Sequence, residues 1–309
     1  ANRLPELDGD SEISKQRRDL RHLPFVTIDP HDAKDFDDAV CLVEDDGART
    51  LWVAIADVAH YVQPDSRLDG AARARATSVY LPHAVLPMLP PRLADDLCSL
   101  RAGVDRLAMV VAMEIDAHDV IVKCTAYEAV ISVAENLAYE DALDNPRFSG
   151  MFSLAKSWQA KEVRLNIQNA ELRPRLHGEE TIRVEVKWPN AATQMIESFM
   201  VATNASVGHL LGKEGAPLPW RCHTPPDALE VEELNAKLNA LGVDIELPMP
   251  SIRTHGQSEE SELTDLLAGW AGGSIDTSGM QPTESEKTND TPEYLSSVLD
   301  SKARQDILD

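Results

Sequence analysis

Asp29-Pro30-His31-Asp32-Ala33-Lys34-Asp35-Phe36-Asp37-Asp38 packs five carboxylates into ten residues, directly after the apolar run Phe25-Val26-Thr27-Ile28. A fold that carries this stretch to the end of a strand must set like charges side by side. Neighbouring carboxylates repel, and they take up protons unless a cation neutralises them. A hard divalent ion with oxygen ligands, magnesium or manganese, resolves that repulsion. Asp35 and Asp37 share one face if the stretch is extended, Asp29 reaches it across the Pro30 turn, and Asp38 joins only if a bulge turns it inward. An EF-hand calcium loop does not fit, because the central glycine and terminal glutamate are missing. From the residues alone, a metal-dependent phosphoryl-transfer site and an acidic surface loop both stay open.

The surrounding pattern is that of an α+β chain, a mixed sheet with packed helices. Residues 25–28, 39–43, 51–56, 109–115, 127–133 and 182–186 are expected as strands. Asp45-Asp46-Gly47 predicts a hairpin, since glycine tolerates positive φ. Residues 69–77, 152–172, 191–211 and 225–241 are expected as helices. The third is the clearest, with Ile196, Phe199, Met200, Val207, Leu210 and Leu211 recurring on one face and Gly212 as a stop. Residues 81–92 hold four prolines and are expected as an extended loop. Residues 1–22 read as an N-terminal linker, and residues 251–309 as an acidic, weakly structured tail or a divergent continuation.

Charge narrows the partners. The formal net charge is −23, and residues 251–309 contribute 12 acidic against 4 basic side chains. A protein that coats nucleic acid generally is excluded, because phosphate binding needs a basic surface. An enzyme that draws one strand over a local metal is not, because net charge governs solubility and steering rather than the chemistry of one groove. There is no apolar run of membrane-spanning length and no secretory signal, so no membrane partner is expected. Cys41, Cys98, Cys124 and Cys222 form no CxxC pair, which fits a reducing cytoplasm. His60, His83 and His223 lack ligand spacing and read as structural.

The motifs around the acidic stretch add a specific likeness. Leu23-Pro24-Phe25-Val26-Thr27-Ile28-Asp29 followed by Asp32-Ala33-Lys34-Asp35-Phe36-Asp37-Asp38-Ala39-Val40 resembles the signature of the RNB family, that of ribonucleases II and R. Further blocks follow in family order: Val53-Ala54-Ile55-Ala56-Asp57-Val58-Ala59-His60, Ser78-Val79-Tyr80-Leu81-Pro82, Leu97-Cys98-Ser99-Leu100, Tyr139-Glu140-Asp141, and Ile196-Glu197-Ser198-Phe199-Met200. Arg221-Cys222-His223 closes the series, so residues 23–250 read as a partial RNB catalytic domain.

The resemblance implies magnesium-dependent, possible also with manganese, 3′-to-5′ hydrolysis of single-stranded RNA to nucleoside 5′-monophosphates. It implies Asp29 and Asp38 as principal metal ligands, Asp35 as a supporting ligand, and Asp37 as the group that positions or activates water. It also implies that Tyr80 and Tyr139 hold the 3′-terminal nucleotides. The chain departs from the family at three points. The flanking OB-type RNA-binding domains are not expected within these residues. The basic residues usual before Tyr139 are replaced by Ser132-Val133-Ala134-Glu135-Asn136. The Ser-Pro-Ile-Arg-Arg-Tyr-type segment is missing, and Pro250-Ser251-Ile252-Arg253 echoes it only superficially. The alternative is therefore a truncated or degenerate RNB module that binds RNA or a protein partner without turnover.

Overall fold

Residues 39–43, 51–56 and 107–113 are apolar at every position, a pattern that suits strands covered on both faces rather than one. The fold follows from that requirement. The computed structural model describes residues 7–14, 16–45, 47–81, 83–161, 170–177, 180–217, 219–220, 226–242 and 246–249. The chain divides into two units, Ala1–Gly273 and Ser274–Asp309, and every described residue belongs to the first. The stretch 251–309, read as a tail, lies outside the described residues, as do His223 and Arg221.

In chain order the described elements are α1 (Gly9–Ser14), β1 (Arg18–Asp19), β2 (Val26–Asp29), β3 (Asp38–Asp45), β4 (Ala48–Ala56), α2 (Val58–Tyr61) and α3 (Arg67–Arg75). A small hairpin of β5 (Val79–Leu81) and β6 (Ala84–Leu86) leads to a π-helical turn at Leu93–Leu97. Then come β7 (Asp105–Ile115), β8 (Ile121–Ser132), β9 (Glu135–Ala138), α4 (Tyr139–Leu143) and α5 (Ser149–Lys161). The series ends with β10 (Glu171–His177), β11 (Glu180–Lys187), α6 (Ala191–Lys213) and α7 (Ala228–Ala240). The main sheet has seven strands in the order β1-β8-β7-β4-β3-β2-β9. Its outer pairs β1–β8 and β2–β9 are parallel, and the strands between them are antiparallel, so the sheet is mixed as expected.

Alternation along each strand sends side chains into two separate cores. Val26, Ile28, Val40, Leu51, Val53, Val111 and Met113 face α4, α5 and α6, where Ala142, Leu154, Trp158, Met195 and Phe199 meet them. Trp158 and Phe199 pack edge to face with ring centroids 5.8 Å apart. On the opposite face Phe25, Ala39, Cys41, Ala54, Val110 and Ile131 are covered by Leu93, Leu97, Cys98 and Leu100 from the π-helical turn and the segment after it. Covering both faces holds the strand ends in place, and those ends carry the aspartates. Among the described residues no helix is long and apolar enough to cross a membrane.

The structure corrects three expectations. Residues 81–92 are not simply an extended loop, because Val79, Tyr80 and Leu81 pair with Leu86, Val85 and Ala84. The prolines flank these short strands rather than interrupt them, so the hairpin keeps its donors. The helix expected over 152–172 ends at Lys161, and its last two residues open β10, where Leu172 sits opposite Val186. The 162–169 stretch lies outside the described residues.

The N-terminal stretch 1–22, expected as a linker, is part of the fold from α1 onward, with Glu12 buried. Arg18 pairs with Ala129 of β8, and Leu20 is buried in the second core. Arg17 is itself buried. Its Nη2 donates to Asp57 Oδ2 at 2.7 Å and lies 3.2 Å from His60 Nδ1, and its Nε approaches Glu12 at 3.6 Å. A cation sealed this well has to be paired, and Asp57 in turn accepts from the His60 backbone N–H at the start of α2. Arg17→Ala strands the Asp57 carboxylate. It is expected to cost about 3 kcal/mol in urea denaturation, whereas a linker arginine would cost less than about 0.5 kcal/mol.

Candidate active site

The strand that precedes the acidic stretch sets the first carboxylate. Val26 and Ile28 of β2 point into the helix-covered core, Thr27 faces the other way and is fully buried, and Asp29 ends the strand because Pro30 cannot extend it. The chain returns at Asp38, which opens β3 opposite Ile55 of β4. Val26 pairs with Val40, so Asp29 and Asp38 enter the site from the same end of two neighbouring strands. Between them the loop is pinned by backbone bonds. The Ala33 N–H donates to Pro30 O, the Leu100 N–H to Phe36 O and the Ala56 N–H to Asp37 O, at 2.8–2.9 Å.

The electrostatics are those of crowded acids. Burial pushes the Asp29 carboxyl up to about 7, and the charges of Asp38, Asp37 and Asp35 add to the shift while a hydrogen bond with Thr27 opposes it. Burial and then the charge on Asp37 push Asp38 up to about 6. Asp37 is also raised, by the protein crowded around its carboxyl and then by Asp35, although its side chain reaches solvent. Asp29 Oδ2 is buried with no hydrogen-bond partner. Burying a carboxylate oxygen without a donor is costly, and such an atom calls for a proton or a cation.

Of the two tyrosines singled out from sequence, one touches these acids and the other follows the residue paired with Asp29. Tyr80, in β5, is 68% exposed and its hydroxyl donates to Asp35 Oδ2 at 3.2 Å. Val79, Leu81, Val85 and Leu86 around it are exposed as well, so the hairpin presents an apolar, aromatic surface beside the carboxylates. Tyr139 is the first residue of α4. It follows Ala138, which pairs with Asp29 in the β2–β9 register, and it leans on the helix-covered core. Asp29, Asp35, Asp37 and Asp38 thus share one electrostatic neighbourhood. Among the described residues, however, no group of three His, Cys, Asp or Glu side chains is drawn together as a ready-made metal-ligand set. Sequence reasoning did not anticipate the roles of Thr27, Ser99 or Asn136. Each is a polar residue inside a pattern otherwise explained by packing; Thr27 adjoins Asp29 in β2, and only long-range pairing brings Ser99 and Asn136 to the acidic stretch.

The family model for the RNB domain matches residues 17–299. The chain belongs to the RNB family. It is 34% identical to ribonuclease R of Mycoplasmopsis pulmonis over 250 residues, covering 76% of this chain and 34% of that protein. It is 36% identical to ribonuclease R of Escherichia coli over 254 residues, covering 76% of this chain and 31% of that one. The chain therefore spans about a third of the length of these curated relatives. Among solved structures it superposes on Mycoplasma genitalium RNase R in complex with ribose-methylated single-stranded RNA, with a TM-score of 0.74 at 28% identity, over 85% of this chain and 44% of that chain. The fold, though not a function, is also shared with yeast Ssd1, described as a pseudonuclease, at a TM-score of 0.62 and 19% identity over 87% of this chain and 35% of that one. The α+β RNB fold is thereby established, and the matched span takes in most of the 251–309 stretch.

The raised carboxyls have a measurable consequence. Asp29 and Asp38 bind protons more tightly folded than unfolded, so their contribution to stability is full below about pH 4 and is lost as pH rises through about 6 and 7. For Asp29 the rise from 3.8 to about 7 corresponds to roughly 4 kcal/mol, of which about half survives solvent screening at this half-buried position. In chelator at pH 8, Asp29→Asn is expected to be more stable than the natural chain by about 2 kcal/mol in urea denaturation. The difference should vanish at pH 4. Equal stability of the two proteins at both pH values would show that Asp29 carries no electrostatic burden.

Proposed function

We propose that this chain forms the catalytic part of a magnesium- or manganese-dependent exoribonuclease that hydrolyses single-stranded RNA from its 3′ end, releasing nucleoside 5′-monophosphates. The observation that carries this reading is the partnerless buried oxygen of Asp29 beside Asp38 and Asp37, whose carboxyls, like that of Asp29, are raised by burial and by one another's charge. Hard oxygen donors with raised proton affinity fit a divalent cation better than any other ligand. The likeness to ribonuclease R, in which the aspartates occupy the family's signature, supports RNA as the substrate.

In this reading Asp29 and Asp38 hold the cation from adjacent strand ends, and Asp35 supports it. A bound divalent ion would lower the pKa of a coordinated water and neutralise charge on the scissile phosphate. Asp37, the acid most open to solvent, orients the attacking water and receives its proton. Tyr80, and Tyr139 across β9, stack on the terminal bases, which suits a substrate accepted without regard to sequence. The unpaired thiols of Cys41, Cys98 and Cys124 support a reducing, cytoplasmic setting for this activity.

A second reading, binding without turnover, is kept by the fold shared with the pseudonuclease. The experiment that separates them uses a 3′-tailed single-stranded RNA with Mg²⁺. The natural chain is expected to shorten it from the 3′ end, and Asp37→Asn to lower the rate roughly 10²–10⁴-fold. Equal rates for the two proteins would end the catalytic reading. A chain that retains the RNA and takes up Mg²⁺ without cleaving would establish the second.

A further inference from the structure

The loop bearing Asp35 and Asp37 follows directly on the strand bearing Asp29, and besides the β2–β3 pairing a hydrogen-bonded brace ties the two together. Ser99, just past the π-helical turn, is fully buried. Its Oγ donates to Lys34 O at 2.8 Å and accepts from the Phe36 N–H at 3.2 Å, so it grips the peptide on both sides of Asp35. The next residue, Leu100, donates its N–H to Phe36 O at 2.8 Å, which makes three bonds to one short segment.

Leu100 also connects to the other half. Its carbonyl accepts from Asn136 Nδ2 at 3.0 Å, and the same amide nitrogen donates to Thr27 Oγ1 at 3.0 Å. Thr27 is buried in β2, two residues before Asp29 and on the same face of the strand. Asn136 Oδ1 accepts from the Ala102 N–H at 2.8 Å. That bond dictates the orientation of the amide, because a flipped side chain would set a donor against a donor. The brace is tied to the sheet by Arg106 of β7, which is 5% exposed. Its Nε donates to Ser99 O at 2.8 Å and Asp96 O at 3.1 Å, and its Nη2 to Asp96 Oδ1 at 3.1 Å. A polar network satisfied this fully, inside the protein, is rigid.

We propose that Ser99 and Asn136 are positioning residues that fix the separation between Asp29 and the Asp35–Asp37 pair and so set the affinity of the site for a divalent cation. The proposal rests on the metal-site reading above. It also assigns a purpose to Asn136, which lies in the stretch where the family's basic residues are absent. Neither residue touches the reacting atoms; each acts through a carboxylate-bearing segment that must not move when charge is brought in.

The test is titration of Mn²⁺ alone into the folded chain, followed by calorimetry, for the natural protein and for Ser99→Ala, Asn136→Ala and Ser198→Ala. Ser198 is the control. It is equally buried, and its hydroxyl bonds Gln194 O and accepts from Gln159 Nε2 between α6 and α5. Ser99→Ala and Asn136→Ala are each expected to weaken Mn²⁺ binding roughly 10–100-fold, while Ser198→Ala leaves it unchanged whatever it does to stability. If Ser99→Ala does not fold, Asn136→Ala, at a half-buried position, carries the comparison. Natural affinity in both brace variants, or an equal loss in Ser198→Ala, overturns the proposal. A natural chain that takes up no Mn²⁺ removes the metal-site reading itself and the proposal with it, and that result is distinct because it appears before any substitution is made.

Discussion

A carboxylate oxygen sealed from water without a donor is the constraint on which this molecule turns. Asp29 Oδ2 is in that position, and its neighbours Asp38 and Asp37 raise rather than lower its burden. Isolated, such an arrangement would relax by moving the acids apart or out into solvent. It persists because both faces of the sheet are packed, so β2 and β3 cannot separate without opening one core or the other. The energy stored at the strand ends is small beside what the two apolar layers contribute. A site that is unfavourable locally and held by its surroundings is the usual physical signature of function.

The same logic makes the charge of −23 compatible with the polyanionic substrate proposed above. Net charge acts over the whole surface and is screened within about 8 Å at physiological salt, whereas the cation proposed at the aspartates would act locally. The surface next to it is apolar and aromatic rather than basic: Tyr80 stands exposed on its hairpin among Val79, Leu81, Val85 and Leu86. Bases have a π-face whatever their identity, so stacking can supply affinity that a basic groove would supply elsewhere. The Tyr80 hydroxyl bond to Asp35 links that surface directly to the acids.

Much of the fold was legible because the relevant signals are local. The 39–43 and 51–56 runs, with Gly47 at φ +83 in the turn between them, became β3 and β4. The spacing of Ile196 and Phe199 became α6, with Asn190 as its cap. What stayed hidden depends on partners far away in sequence. Residues 81–92 looked like a proline-rich loop because β5 and β6 are three residues each, too short to show alternation. The N-terminal stretch looked like a linker because its attachments are made to distant residues: Arg17 pairs with Asp57, Arg21 with Asp105, Arg18 with Ala129 of β8, and Leu20 enters the second core. The end of the helix expected to 172 was misread because β10 exists only opposite β11.

The sequence by itself determined which acids crowd together along the chain and how many, since residue type and short spacing need no fold to be read. It also determined the family, because motif order is a property of the chain. Only the tertiary structure decided which carboxylate oxygen is buried without a partner, since burial is a sum over atoms contributed by distant segments. It alone decided that Ser99 and Asn136 matter, because a hydrogen bond between residues thirty or more positions apart leaves no trace in the spacing of either.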